Sequence, residues 1–352
     1  MAHLTANFTS EAPLSPAVVE AISAAFEQGW ADPKKQSQAS GRASILASSA
    51  LEEIAHHLAT TPDRLEVLGE PALAHFLALR GLLPQGGALY SSTVDVGKIR
   101  AIAREVSDES CLIGVDDQGL LITTGVKISK NALLSLQATN GETGVIQDLD
   151  PWRNHGAKVV VDATRTLPNL DYITGFSATT FDARSWNGPA GLGFIAINDV
   201  KNFKYPLPHI APIRTPGSYS LPLLIGSAIA LNEFKSSISH LVELRSILAS
   251  ELSVISGVTV LASKSGAGSR HLSIVVDGIS SEEVLRELLK RDFSIDAGSA
   301  CSPEDLTPSH VIASMGYPTA GHLRFTIHPH HTMEAITEMA SQLHQVLDQL
   351  RS

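Results

Sequence analysis

Lys158-Val159-Val160-Val161-Asp162 is a run of three β-branched residues closed by a carboxylate. Valine is stiff at its first torsion and packs well on a pleated surface, so the run predicts a short, buried strand. Comparable runs stand at 88–91, 112–115, 132–137 and 193–197, several of them separated by helix-length segments. That alternation predicts an α/β fold, a mostly parallel sheet covered by helices, and argues against a sandwich.

Toward the N-terminus, residues 15–30 open on Ser15-Pro16 and carry apolar side chains at Val18, Val19, Ile22, Ala25 and Phe26, the spacing of an amphipathic helix behind its cap. Ala31-Asp32-Pro33 makes a turn, and further helices are expected over 41–58 and 71–79. Toward the C-terminus, 221–252 reads as one long helix leading out of the sheet layer. From 258 onward the expected order is strand, strand (271–276), helix (281–290), strand, loop, strand (322–326) and a final helix (332–350), a smaller α+β unit.

Composition narrows the function classes. The 352 residues are 43% hydrophobic and 18% charged, a globular composition long enough for a large core and a second unit. The formal charge is −10, and cations are scattered apart from Lys34-Lys35 and Lys290-Arg291, so neither nucleic acid nor an anionic membrane is an expected partner. The two cysteines, Cys111 and Cys301, lie in unlike surroundings and suggest a reducing compartment without disulfides. Met1-Ala2-His3-Leu4-Thr5 shows no targeting pattern, and no apolar stretch approaches the roughly 20 residues of a membrane span. A cytoplasmic protein is expected.

The most specific string is Asp296-Ala297-Gly298-Ser299-Ala300-Cys301-Ser302-Pro303, followed by Leu306-Thr307-Pro308-Ser309-His310-Val311-Ile312 and then Leu323-Arg324-Phe325-Thr326. A loop cysteine by itself is more often inert than reactive. In this setting the string resembles the cysteine desulfurase family of class V aminotransferases. Further matches fall in the family's order: Pro13-Leu14-Ser15-Pro16, Asp32-Pro33 with Ser37 and Gly41, the run from Asn140 to Asp148, Val161-Asp162-Ala163-Thr164, and the run from Asn187 to Gly193. The resemblance implies a fold type I aminotransferase architecture: a large domain over 12–235 with a seven-stranded, mostly parallel sheet, and a small α+β domain from 1–11 and 236–352 carrying the Cys301 loop. It also implies a homodimer, with Cys301 as persulfide carrier, Arg324 as carboxylate clamp and Asn140 as a substrate contact. A planar guanidinium suits that clamp because it grips a carboxylate with two parallel bonds.

The family cofactor is pyridoxal phosphate, and here the likeness fails. The family's Ser-x-His-Lys stretch reads Asp182-Ala183-Arg184-Ser185, so Ser185 stands at the lysine and Arg184 at the histidine. A hydroxyl cannot form an imine, and covalent cofactor binding is not expected. The phosphate-binding turn reads Leu68-Gly69-Glu70-Pro71-Ala72, where a carboxylate repels an anion and proline removes a donor. The ring-stacking histidine falls on Asp95, a second asparagine on Gly141 and a glutamine on Arg165. Asp162 alone is retained opposite the pyridinium nitrogen, unless it is simply a turn residue at a strand end.

Other candidates carry less. His328-Pro329-His330-His331 reads as a solvated loop and no metal site is expected; Cys111 reads as a core residue, His56-His57 as surface, and Gly86-Gly87 as a turn. Whether the chain is an enzyme is left open. The preferred reading is a desulfurase-like protein without cofactor chemistry, acting as partner or sulfur acceptor in a homodimer or a mixed dimer with an active paralogue. The alternatives are a working pyridoxal phosphate enzyme that lacks the usual lysine, or a binder of another small molecule in a cavity shaped by Glu70, Asp95, Arg165, Arg184 and Ser185.

Overall fold

Val159 and Val161 pack into one hydrophobic cluster while Val160, between them, packs into a second on the opposite face. This period of two, with both faces buried, is what a sheet covered by helices on both sides requires. Each such valine contributes about 2 kcal/mol by leaving water. The structure, a computed structural model, describes residues 4–28, 30–107, 111–153, 156–168, 173–210, 214, 219–298 and 308–352.

In chain order the first unit contains α1 (Pro16–Gln28), α2 (Gln38–His57), β1 (Leu65–Leu68), α3 (Pro71–Leu82), β2 (Leu89–Ser92), α4 (Gly97–Val106), β3 (Leu112–Ile113), β4 (Leu133–Gln137), α5 (Asp150–Arg153), β5 (Lys158–Asp162), β6 (Ala178–Asp182), β7 (Gly193–Ile197) and α6 (Leu221–Lys235). Its seven strands lie in the order β1-β7-β6-β5-β4-β2-β3. The five strands from β6 to β3 run parallel, β7 is antiparallel to both its neighbours, and the sheet is therefore mixed but mostly parallel. Helices α3 and α4 cover the Val160 face, while α2 and α6 share the cluster of Val159 and Val161. The second unit follows with α7 (Ile238–Ser253), β8 (Val258–Val260), β9 (His271–Val276), α8 (Ser281–Leu289), β10 (Asp296–Ala297), α9 (His310–Ser314), β11 (His322–Thr326) and α10 (Met333–Arg351). Its four antiparallel strands are ordered β10-β11-β9-β8. The N-terminal segment adds to it: Phe8 N donates to Ser294 O (2.8 Å) and Thr326 N to Phe8 O (2.8 Å).

Two expectations change. The single helix expected over 221–252 is two helices, broken at Ser236-Ser237. The Ser236 hydroxyl donates back to the Glu233 carbonyl (2.8 Å), and Ser237 N closes on Phe234 O (2.9 Å), so the serines take hydrogen bonds that the helix ladder would use. The His328–His331 stretch is not solvated. His328 and His331 are each 1% exposed, and they tie down the N-terminal segment through Nε2: His328 donates to Thr9 O (2.8 Å), His330 to Leu4 O (3.0 Å) and His331 to Asn7 O (3.0 Å). Among the described residues no helix is long and apolar enough to cross a membrane.

Candidate functional site

Parallel strands all end at one edge, and the loops that leave that edge form a natural crevice. Here β2, β4, β5 and β6 deliver, within a few residues of their C-terminal ends, Asp95, Asn140, Asp162 with Arg165, and Asp182 with Arg184 and Ser185. The second unit and the N-terminal segment close over this edge. Between them lies a cavity of about 570 Å³ whose lining includes Thr9, Ser10, Gln137, Asn140, Gly141, Glu142, Arg165, His271, Asp296, His310 and Arg324.

The turn after β4 joins the two units. Asn140, 4% exposed, accepts from Glu142 N (2.9 Å), Thr143 N (2.9 Å) and the Thr143 hydroxyl (3.1 Å), and donates to Val94 O (3.2 Å) and Gln137 Oε1 (2.8 Å). Its amide is wholly committed to holding the turn. Gly144 within it has φ +77°, and a Cβ there would overlap the His271 carbonyl oxygen, so only glycine lets the turn lie this close to β9. Ser273 donates its hydroxyl to Glu142 O (2.6 Å), and Ser309 donates to Glu142 Oε2 (2.6 Å).

Deeper groups are strongly perturbed. Asp95 is fully buried between the lining residues Val94 and Val96. Burial, aided by the charge of Asp162, pushes its carboxyl up to about 8 against the pull of the Ser92 amide, which donates to Oδ2 (2.8 Å). Asp162 uses Oδ1 for the Thr164 amide (2.9 Å) and hydroxyl (2.6 Å), while its buried Oδ2 has no partner. Burial depresses Arg165, and depresses Arg270 to about 9, with the Arg165 charge adding to the latter. Arg270 donates to Asn187 Oδ1 (2.7 Å) and Arg184 O (3.2 Å) and faces the Phe234 ring. His271 is held neutral by burial first and by the charge of Arg270 next.

Three of the sequence candidates, Asn140, Arg165 and Arg324, meet at the cavity, and Asp95 and Asp162 lie buried at the sheet edge among them. Three others do not line it. Arg184 is exposed and paired with Asp182 (Nη2 to Oδ2, 2.6 Å), a bond that raises its affinity for its proton. Ser185 is 2% exposed, with its hydroxyl donated to Asp182 O (2.8 Å). Glu70 caps its own helix, accepting from Ala72 N (2.8 Å) ahead of Pro71. Cys301 lies outside the described residues; of the described residues on either side, Asp296 pairs in register with Arg324, and His310 donates Nε2 to Asp95 O (2.9 Å). Gln137, His271, Glu142 and Asp296 were not legible as site residues. A glutamine ending a leucine-rich strand and a histidine opening a fully buried one were the available signals.

No family model matches the chain. It is 22% identical to the cysteine desulfurase IscS of Dictyoglomus turgidum over 375 aligned residues, which cover 98% of this chain and 95% of that protein. The cysteine desulfurase IscS of Rickettsia bellii is 24% identical over 88% of this chain and 82% of its own length. This chain is a homologue of the cysteine desulfurases. A NifS-like protein of known structure superposes on the homologue with a TM-score of 0.83 at 18% identity, over 97% of this chain and 99% of that one. The cysteine desulfurase CsdA of Escherichia coli superposes at 0.78 and 16% identity, over 98% and 95%. The fold is thus the fold type I transferase fold, and the mixed seven-stranded sheet is its signature here.

Pyridoxal phosphate does not fit the residues that this homologue presents. No lysine stands among the described residues of the cavity lining; Lys98 and Lys130 are both exposed outside it. The N-terminus of α3 already holds an anion, the Glu70 carboxylate, where a phosphate would need free amides. The stem of Arg165 lies against Gly141, where a Cβ would come within 2.7 Å of its Cγ, so the arginine fills space beside the sheet edge. Only the unpartnered Oδ2 of Asp162 suits the cofactor's ring nitrogen.

Proposed function

We propose that this chain is a desulfurase homologue that has given up lysine-linked pyridoxal phosphate chemistry and serves as a partner that accepts sulfur on Cys301. The observation that carries the reading is the pairing of a self-capped α3, with Glu70 seated on the Ala72 amide, and a buried Ser185 whose hydroxyl is committed to Asp182. Neither the phosphate handle nor the imine-forming amine is there. Support for the sulfur-accepting half comes from Arg324 at the cavity wall, and from β10 and His310, which precede and follow Cys301 in the chain and both border that cavity.

The sulfur step requires no cofactor. The Cys301 thiolate attacks the outer sulfur of a donor's persulfide; a new S–S bond forms, the old one breaks, and the donor leaves as its thiolate, with no net oxidation. The donor is an active desulfurase, met in the cytoplasm either as a transient partner or as the other half of a mixed dimer; the homodimer is the simpler assembly. Phe26 and Trp30, exposed by 60% and 75% and lining one groove, support a surface that meets another chain.

Incubation with an active desulfurase and cysteine, followed by alkylation and peptide mass spectrometry, is expected to show one added sulfur atom on the Cys301 peptide and none on Cys111, which is buried. Cys301→Ala removes the signal. Absence of added sulfur on Cys301, while the donor carries its own persulfide, overturns the reading.

A further inference from the structure

We propose that the cavity between the two units takes a small dicarboxylate, with one carboxylate on Arg324 and the other on Arg165. The proposal rests on the reading that this cavity no longer holds pyridoxal phosphate, and it adds a ligand that the sulfur-acceptor role does not require.

Arg165 carries the case. It follows β5, lines the cavity, and forms no ion pair among the described residues. The guanidinium is partly buried; desolvation and the charges of Arg184 and Arg324 disfavour its charged form, while the carboxylates of Asp182 and Asp162 act in the opposite sense without pairing with it, which leaves its hydrogen-bonding fork open to an anion. Room for it comes from Gly141: with any Cβ at that position, the Arg165 stem would have to move. By the family resemblance both positions differ together, asparagine to Gly141 and glutamine to Arg165, and in the structure the second change fits into the space that the first vacates.

Two further polar side chains belong to the cavity wall, with donor atoms that are themselves buried behind it. Gln137, 3% exposed and part of the lining, accepts from Asn140 at its Oε1, while its buried Nε2 has no partner. His271, also 3% exposed and part of the lining, engages the Thr326 hydroxyl at Nδ1 (3.3 Å), and its Nε2 is likewise unpartnered. The planar fork of Arg165 suits a planar oxyanion. On the other wall Arg324 lies in register with Asp296, whose Oδ2 stands 3.9 Å from its Nη2, and Glu11 and Glu142 line the same space. Those carboxylates disfavour a densely charged phosphate at that end and tolerate a singly charged carboxylate. Two singly charged, planar groups on one short carbon chain satisfy both walls.

Calorimetric titration of the full chain with glutarate, butyrate and inorganic phosphate tests this. Glutarate is expected to bind at least roughly tenfold more tightly than butyrate or phosphate. Arg165→Gln and Arg324→Gln should each lose that advantage. Glutarate, which is expected to raise the melting temperature of the unsubstituted protein, should no longer raise that of Arg165→Gln. Gly141→Ala keeps every charge but displaces the Arg165 stem, and is expected to lose glutarate binding as well. Glutarate binding no tighter than butyrate or phosphate, or unchanged in folded Arg165→Gln, overturns the proposal. Persulfide uptake on Cys301 is followed separately in the unsubstituted protein; its absence there, with glutarate binding intact, counts against the sulfur-acceptor reading alone.

Discussion

Between neutrality and about pH 4 the protein is expected to lose its fold cooperatively. Four buried histidines are held neutral: burial takes His331 down to about 4 and His322 to about 3, and sets His271 and His328 well below their ordinary 6.5. Their neutral forms are built in. His331 donates from Nε2 to Asn7 O and accepts the His328 amide at Nδ1 (3.1 Å), and the buried Nδ1 atoms of His328 and His322 have no acceptor for a second proton. Because the folded values lie below the unfolded one, the stability these residues hold is complete above 6.5 and is lost as the pH falls, the unfolded chain taking up protons first. Asp95 acts in the opposite sense: its folded value of about 8 exceeds the unfolded 3.8, so acid favours the fold at that one site. Four groups against one, at about 1.4 kcal/mol per group per pH unit, leave a loss on the order of 8 kcal/mol over two units, comparable with the whole stability of a typical domain. Tryptophan fluorescence and circular dichroism should show one transition between 6.5 and about 4. Native signals that persist to about pH 4 would contradict the assignment of these imidazoles as buried and neutral.

Asn140→Ala is expected to destabilise the protein by about 4 kcal/mol, with the slope of urea unfolding unchanged. The substitution deletes five hydrogen bonds at once, and it strands the amides of Glu142 and Thr143 and the acceptors Val94 O and Gln137 Oε1 in a site where water has little access. Each stranded buried group costs about 1 kcal/mol or more. The same turn carries Gly141 and Glu142 into the cavity lining and receives Ser273 and Ser309 from the second unit, so ligand binding should fall together with stability. A loss below about 1 kcal/mol would mean that the turn is held from elsewhere and that Asn140 is free for a ligand.

The sequence discloses most where a single physical signal dominates. Val159, Val160 and Val161 announce a strand because a short run of β-branched residues, apolar on both faces, suits a doubly covered sheet, and 193–197, equally short and apolar, forms one as well. Ala178–Asp182 is equally buried yet was not foreseen, since its two threonines look like a polar interruption; in the fold both are buried, and the Thr180 hydroxyl reaches Val161 O (3.4 Å). Leu65–Leu68 and α4 went unread for want of length or an apolar stripe broad enough to stand out. At the site, the order of motifs was enough to gather Asn140, Asp162, Arg165 and Arg324 at one sheet edge. Sequence could also say that Glu70 and Ser185 are the wrong residue types for the cofactor. It could not say that each turns inward on its own backbone, because that depends on side-chain torsions and not on spacing. Gln137 and His271 were hidden for the same reason, as polar side chains within strands that are otherwise core.

No lysine of this chain is expected to form an imine with pyridoxal phosphate in the cavity. The direct measurement is to add excess pyridoxal phosphate to the purified protein, record its visible absorbance, reduce with borohydride and map modified peptides by mass spectrometry. The spectrum of free cofactor, with no stoichiometric reduced adduct on any lysine, is the predicted result. A stoichiometric adduct on a single lysine would contradict the account and return the chain to the working cofactor enzymes of its family.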